Sequence, residues 1–397
     1  MDAVRHFSGT YAEARDKFIA AAGVLGLDVD RHCHPTARGA DGEELSIDVA
    51  TLGDASAAGM LLLTSGTHGV EGFCGSGCQV ALLHDAEFGA AVRNAGIAVV
   101  FLHAVNPFGF SHLRRTNEDN VDMNRNFRDF ATPPMANRAY AEVHGFIVPV
   151  TWPPAPDNEA RIAAYITAHG ERALQQAITG GQCEFPEGLF YGGTRPAWSN
   201  AVFRAVLRKH AAHRARIGWI DFHTGLGPRG HGEKIYSGRN APADLARARS
   251  LWGNDVTSFF DGSSSSATLS GVNYNAIYDE CPGVSYAGIA LEFGTLPMRE
   301  MIEALRADQW LMNHPDADET LRGGIKRQVR DAFYCDADDW KSTVYAQALA
   351  ASLAAVSRLG VPGNCPVRCL PRCPRFPLPR SAAPACAPGS PAPGTAM

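Results

Sequence analysis

Four short apolar runs, each closing on or just before a polar residue, constrain this chain more than any other feature. They occupy residues 60–64 (Met-Leu-Leu-Leu-Thr), 97–103 (Ile-Ala-Val-Val-Phe-Leu-His), 217–222 and 287–293. Runs of this length, bounded by turn-forming residues, read as strands buried on both faces. Residues 45–50 alternate apolar and polar, which predicts a half-buried strand. Between the first two runs lie a Gly-rich loop at 65–77 and an apolar stretch at 78–83 compatible with a helix, giving β-loop-α-β order. Alternation of this kind predicts an α/β fold with a mixed, mostly parallel central sheet and helices on both faces. Ligands of such sheets bind outside the carboxyl ends of the strands. His68, His223 and Glu292 fall at or just after such ends.

The rest of the chain is organised around these runs. Residues 132–188 carry several prolines and a helical stretch near 161–176, and read as an insertion that shapes a cleft. Residues 298–313, 318–333 and 339–359 have helical periodicity and close a single catalytic domain spanning 1–359. From Gly360 onward the composition turns to Pro, Ala, Arg and Cys, with too few large apolar residues to offset ordering entropy, so 360–397 is expected to be disordered. The even spacing of Cys365, Cys369 and Cys373 resembles a metal knuckle, but intervening prolines and the lack of a ligating His argue against a tetrahedral site.

A formal net charge of −5 disfavours nucleic acid or an acidic membrane as partner. A small polar substrate fits better. The longest strongly apolar run, at 59–63, is far short of the roughly 20 residues that span a bilayer. The first residues lack the basic-then-apolar pattern of a secretory signal, so a cytoplasmic location is the expectation. In a reducing cell the six body cysteines are expected to act as small buried apolar groups.

The chemistry concentrates in a few motifs. In Thr67-His68-Gly69-Val70-Glu71-Gly72 an imidazole and a carboxylate lie three positions apart in a loop whose glycines let both converge on one ion. A catalytic zinc needs a third protein ligand and an open position for water. Asp221-Phe222-His223-Thr224-Gly225 places a His at the end of a buried strand and completes a His, Glu, His set. Glu292, in Ala290-Leu291-Glu292-Phe293-Gly294, is a lone carboxylate in an apolar strand, where an unpaired charge is expensive unless it has a task. Beside zinc-activated water it is a candidate general base.

To these are added Asn106-Pro107-Phe108-Gly109, Arg114-Arg115 and Asp122-Met123-Asn124-Arg125-Asn126. The order His-x-x-Glu, Asn-Pro-x-Gly, Asp-x-Asn-Arg-Asn, strand-end His, strand-end Glu resembles the zinc carboxypeptidase superfamily, which also contains aspartoacylase and succinylglutamate desuccinylase. The resemblance covers roughly residues 40–340 and is greatest to an uncharacterised bacterial branch. It implies one Zn²⁺ held by His68, Glu71 and His223, and recognition of a substrate carboxylate by Asn124 and Arg125. Arg125 offers a planar, permanently charged fork for that group. Asp122 would orient a zinc-bound imidazole, that of His68. Arg115, nine residues before Asn124, would polarise the scissile carbonyl, with Arg114 the adjacent alternative. A mobile tyrosine upstream of the glutamate is matched by Tyr278, with Tyr274 and Tyr286 competing.

The implied activity is hydrolysis of an amide beside a free carboxylate, in a peptide or an N-acyl amino acid. A module that binds zinc or carboxylate without turnover is a second class, against which the joint presence of Glu292, Arg115 and all three ligands weighs. A serine hydrolase is a third, prompted by Gly75-Ser76-Gly77 and the serines at 263–266. Neither serine sits in the Gly-x-Ser-x-Gly pattern of a nucleophile elbow.

Overall fold

A computed structural model describes residues 3–134 and 136–360 of the chain. The expected disordered tail and its four cysteines therefore lie outside the described residues, apart from Gly360. Among the described residues seven strands form one sheet: β1 (Val29–Arg38), β2 (Glu44–Gly53), β3 (Gly59–Thr64), β4 (Ala98–His103), β5 (Arg216–Arg229), β6 (Gly232–Tyr236) and β7 (Ser285–Gly294). Their order is β1-β2-β4-β3-β5-β7-β6. The four central strands β4, β3, β5 and β7 are parallel, whereas β1, β2 and β6 join antiparallel. The sheet is thus mixed, and parallel only at its centre.

The central strands are buried on both faces because successive side chains alternate between two cores. Leu61, Leu63, Phe101 and Phe222 enter one cluster with Phe18, Phe73 and Val344 from the helices Tyr11–Val24, Gly72–His84 and Asp338–Leu359. Met60, Leu62, Val100 and Trp219 enter the other with Phe203 and Ile277 from Trp198–His210 and Asn275–Glu280. Truncating one of these fully buried leucines to alanine should cost about 2–5 kcal/mol.

Three local expectations change. The strand at 45–50 is buried throughout rather than half-buried. Its polar residues are satisfied inside: Ser46 N–H donates to the Tyr11 hydroxyl (2.8 Å), and Asp48 receives Arg15 Nε (2.8 Å). The stretch near 161–176 is two helices, Pro156–His169 and Glu171–Thr179, because Gly170 between them adopts φ 89°. The loop after β3 is short, since a 3-10 turn at Gly69–Glu71 runs directly into the helix Gly72–His84. A Cβ on Gly69 would lie 2.3 Å from the Gly109 Cα, so this glycine pair lets the two loops touch.

No helix among the described residues is long and apolar enough to cross a membrane.

Candidate metal centre

The end of β3, the middle of β5 and the C-terminal end of β7 meet at one cavity. Parallel pairing sets Thr64 opposite Asp221 and His223 opposite Glu292. His68 caps the 3-10 turn just past β3, and Glu71 closes that turn. One ligand atom from each of His68, Glu71 and His223 lies within 4.8 Å of the others, and all three residues are buried.

Each imidazole has a carboxylate behind it, hydrogen-bonded at His223 and at ion-pair distance without a hydrogen bond at His68. His223 Nε2 lies 2.8 Å from Asp221 Oδ2, which leaves Nδ1 facing Glu71 Oε2 at 3.0 Å. His68 Nδ1 lies 3.4 Å from Asp122 Oδ1, which leaves Nε2 facing the centre. Asp221 is itself fixed by Thr64 Oγ1 (2.6 Å), Thr67 Oγ1 (2.9 Å) and Asn273 Nδ2 (2.7 Å). This is the carboxylate-histidine arrangement that sets tautomer and ring orientation at zinc sites. Two imidazoles and a carboxylate are also the ligand set of hydrolytic zinc, so the residues fit that ion.

The two imidazoles differ in their electrostatics. Burial and the nearby Arg115 charge hold His68 well below the ordinary imidazole range, which keeps it neutral, the form a ligand requires. Burial works against protonation of His223, yet the Asp221 charge and hydrogen bond outweigh it and raise this imidazole. Burial, with the Glu71 charge beside it, pushes Glu292 up to about 7. Glu292 Oε1 accepts from the Leu226 N–H at 2.9 Å, which fixes the carboxylate toward the cavity.

Arg115 knits the site together. Its guanidinium donates to Asp122 Oδ2 (3.0 Å), Glu71 Oε1 (3.1 Å) and His68 Nε2 (2.7 Å) and lies 4.8 Å from the Phe190 ring centre. Arg114 points away, into a buried pair with Asp308 at 2.9 Å. Arg125 lines the cavity beside Asn124. Its terminal nitrogens donate to the carbonyls of Asn124 and Thr179, its Nε has no partner, and no carboxylate pairs with it among the described residues. Burial lowers its pKa to about 10, so it remains a cation.

One placement corrects the sequence reading. Tyr278 does not reach the cavity. Its hydroxyl accepts from Arg239 N–H (3.1 Å) and donates to Asp244 (3.3 Å), with the Arg239 guanidinium 3.8 Å above its ring. Tyr274, four residues earlier and just ahead of the short helix Asn275–Glu280, lines the cavity instead. Asp221 and Asn273 received no role from sequence. Asp221 carried a signal, since an acid two positions before His223 in a strand shares its face. Asn273 lies in an irregular segment and carried none.

The family DUF2817, described as a protein of unknown function, matches residues 7–347. No curated protein sequence matches the chain. Among solved structures, bovine thrombin-activatable fibrinolysis inhibitor in complex with tick carboxypeptidase inhibitor is similar at 12% identity and TM-score 0.43, covering 83% of this chain and 98% of that one. A putative carboxypeptidase A from Shewanella denitrificans OS-217 is similar at 13% identity and TM-score 0.42, covering 89% of this chain and 71% of that one. An aspartoacylase family protein from Mesorhizobium loti is similar at 12% identity and TM-score 0.32, covering 72% and 66%.

Proposed function

The chain belongs to the DUF2817 family, and from the construction of its cavity we propose that it is a zinc-dependent hydrolase cleaving an amide bond next to a free carboxylate. One observation carries the reading: His68, Glu71 and His223 bring ligand atoms within 4.8 Å of one another in a cavity also lined by Glu292. When bound there, zinc supplies Lewis acidity for a carbonyl and makes a water acidic near neutral pH.

The side chains divide the remaining work. Glu292 takes the water's proton and delivers it to the leaving amine, a role suited to a carboxyl poised near 7. Arg115 is the cation beside the ligand set, placed to stabilise charge developing on the carbonyl oxygen. Arg125, buried and without an acidic partner, anchors the substrate carboxylate, with Asn124 next to it. The charge of Asp122 offsets only part of the cost of burying this cation, which supports an anionic substrate over a neutral amide. The C-terminal bond of a peptide and an N-acyl amino acid both meet this description.

Elemental analysis of the purified protein, paired with a screen of free-acid peptides and acyl amino acids, tests the proposal. About one zinc per chain is expected, with hydrolysis lost to a chelator. Equal zinc in wild type, His68→Ala and His223→Ala would refute the assigned site.

A further inference from the structure

The metal cavity is small, about 130 Å³, and it adjoins a larger groove of about 650 Å³. The two share Gln175, Met298 and Ile302 as walls. The groove runs between the inserted helices Pro156–His169 and Glu171–Thr179 and the helix Met298–Asn313. Its sides are apolar, formed by Ile162, Ile166, Leu174, Met298 and Ile302. Its ionisable residues are three acids and three bases, and the innermost base, Arg306, is already paired with Glu159 at 2.8 Å. Nothing in it selects a charged occupant.

Its direction relative to the scissile bond can be read from the helix Glu171–Thr179. The Thr179 carbonyl receives Arg125, the anchor for the substrate carboxylate. Gln175, at the groove mouth, precedes it by four residues, or about 6 Å along the helix axis. That separation is about the reach of a single amino acid carrying an acyl group. Met301, on the same helix as the groove residue Ile302, approaches the same backbone position at Gly225 as Glu292 Oε1. The helix Glu171–Thr179 therefore borders both the carboxylate anchor and the groove, and the helix Met298–Asn313 borders both the groove and the surroundings of the general base.

From this we infer that the substrates are N-acyl amino acids with a long unbranched acyl chain, the chain lying in the groove walled by Ile162, Ile166 and Ile302. The inference rests on the proposed hydrolase reading and narrows it. Water adds across the amide C–N bond, its hydroxyl joining the acyl carbon and its proton reaching the amine, which gives a fatty acid and a free amino acid.

The test is a series from acetyl to dodecanoyl on one amino acid, run with wild type, Ala163→Trp and Ala164→Trp. Both alanines are exposed, but Ala163 lines the groove and Ala164, the next residue of the same helix, does not. In wild type kcat/KM should rise about threefold to fourfold per added methylene until the groove is filled. Ala163→Trp should collapse the dodecanoyl-to-acetyl ratio toward one, and Ala164→Trp should retain the wild-type ratio. Calorimetry should likewise give tight dodecanoate binding to wild type and weak binding to Ala163→Trp. A flat series in an enzyme that hydrolyses acetyl amino acids, or a steep series that survives Ala163→Trp, overturns the groove assignment and leaves the hydrolase reading intact. Cleavage of free-acid peptides with no acyl amino acid accepted does the same. If no amide is hydrolysed at all, the hydrolase reading fails, and dodecanoate binding that is equal in wild type and Ala163→Trp removes the groove as well.

Discussion

The Asp221 carboxylate lies 2.8 Å from Nε2 of His223 and, through Thr64, Thr67 and Asn273, ties that imidazole to two other segments of the chain. The ring is therefore presented to Glu71 by its other nitrogen before any ion arrives. Asp221→Asn should lower zinc affinity by about tenfold to a hundredfold, because outer partners of metal-bound histidines typically matter by that much. A competition titration against a chromophoric chelator measures it. Unchanged affinity would show that the imidazole is oriented by something else.

Glu292→Gln should retain zinc and fold but lose turnover by on the order of a hundredfold or more, since the amide is nearly isosteric yet cannot accept a proton. The amide oxygen can still receive the Leu226 N–H, now 2.9 Å from Oε1, so the strand end should not rearrange. Single-turnover assays with matched zinc content decide it, and activity within a few-fold of wild type removes Glu292 from the chemistry.

The two tyrosines make a paired test. Tyr274→Phe removes a hydroxyl from a residue lining the cavity, whereas Tyr278→Phe removes one already bonded to Arg239 and Asp244. Loss of one hydrogen bond to a reacting group predicts a fall in kcat of up to about tenfold for Tyr274→Phe and none for Tyr278→Phe. The reverse ranking would restore the assignment expected from sequence.

That reversal shows where sequence stopped being informative. The central strands were legible because strands buried on both faces must be apolar nearly throughout, and β3 and β4 are apolar up to their last residues, Thr64 and His103. The edge strands β1 and β6 were not, since partly exposed residues such as Asp30, Arg31 and Lys234 leave no continuous apolar signal. The candidate residues His68, Glu71, His223 and Glu292 were legible because reactive groups within or just after buried strands are conspicuous against apolar neighbours. Tyr274 and Tyr278 lie in and beside a helix of six residues, and there spacing alone does not say which ring turns inward. The break at Gly170 was similarly hidden, because glycine is tolerated inside helices and only its φ of 89° reveals the stop.

Arg125→Ala should weaken turnover of free-acid substrates by roughly one to two orders of magnitude in kcat/KM, the usual consequence of removing a charge-assisted, buried contact. Amidated analogues should change little, and zinc content should stay as it was. Comparing residue and substrate group in one cycle separates their coupling from general damage. If wild type cleaves amidated and free-acid substrates equally well, the carboxylate anchor is misassigned.

A last prediction concerns acid stability and lies away from the metal site. His103, at the end of β4, is fully buried, with Nε2 2.8 Å from the Ser76 hydroxyl and its ring stacked 4.6 Å from that of Phe18. Burial pushes this imidazole down to about 4. The facing Asp48 pulls it upward, and Arg15, bound to Asp48, opposes that pull. In the unfolded chain the same group titrates near the ordinary value of about 6.5. Between those two pH values the unfolded chain takes up a proton that the folded chain excludes. Stability contributed by neutral His103 is therefore complete above about pH 6.5, declines as the pH falls, and is gone below about 4. The linked loss is on the order of 3 kcal/mol. His103→Gln keeps a polar atom for Ser76 and removes the titration. Urea unfolding of both proteins at pH 7 and pH 4 should show wild type losing about 3 kcal/mol more than the variant, because other titrating groups cancel in the difference. An equal loss in both would place the acid sensitivity elsewhere in the chain.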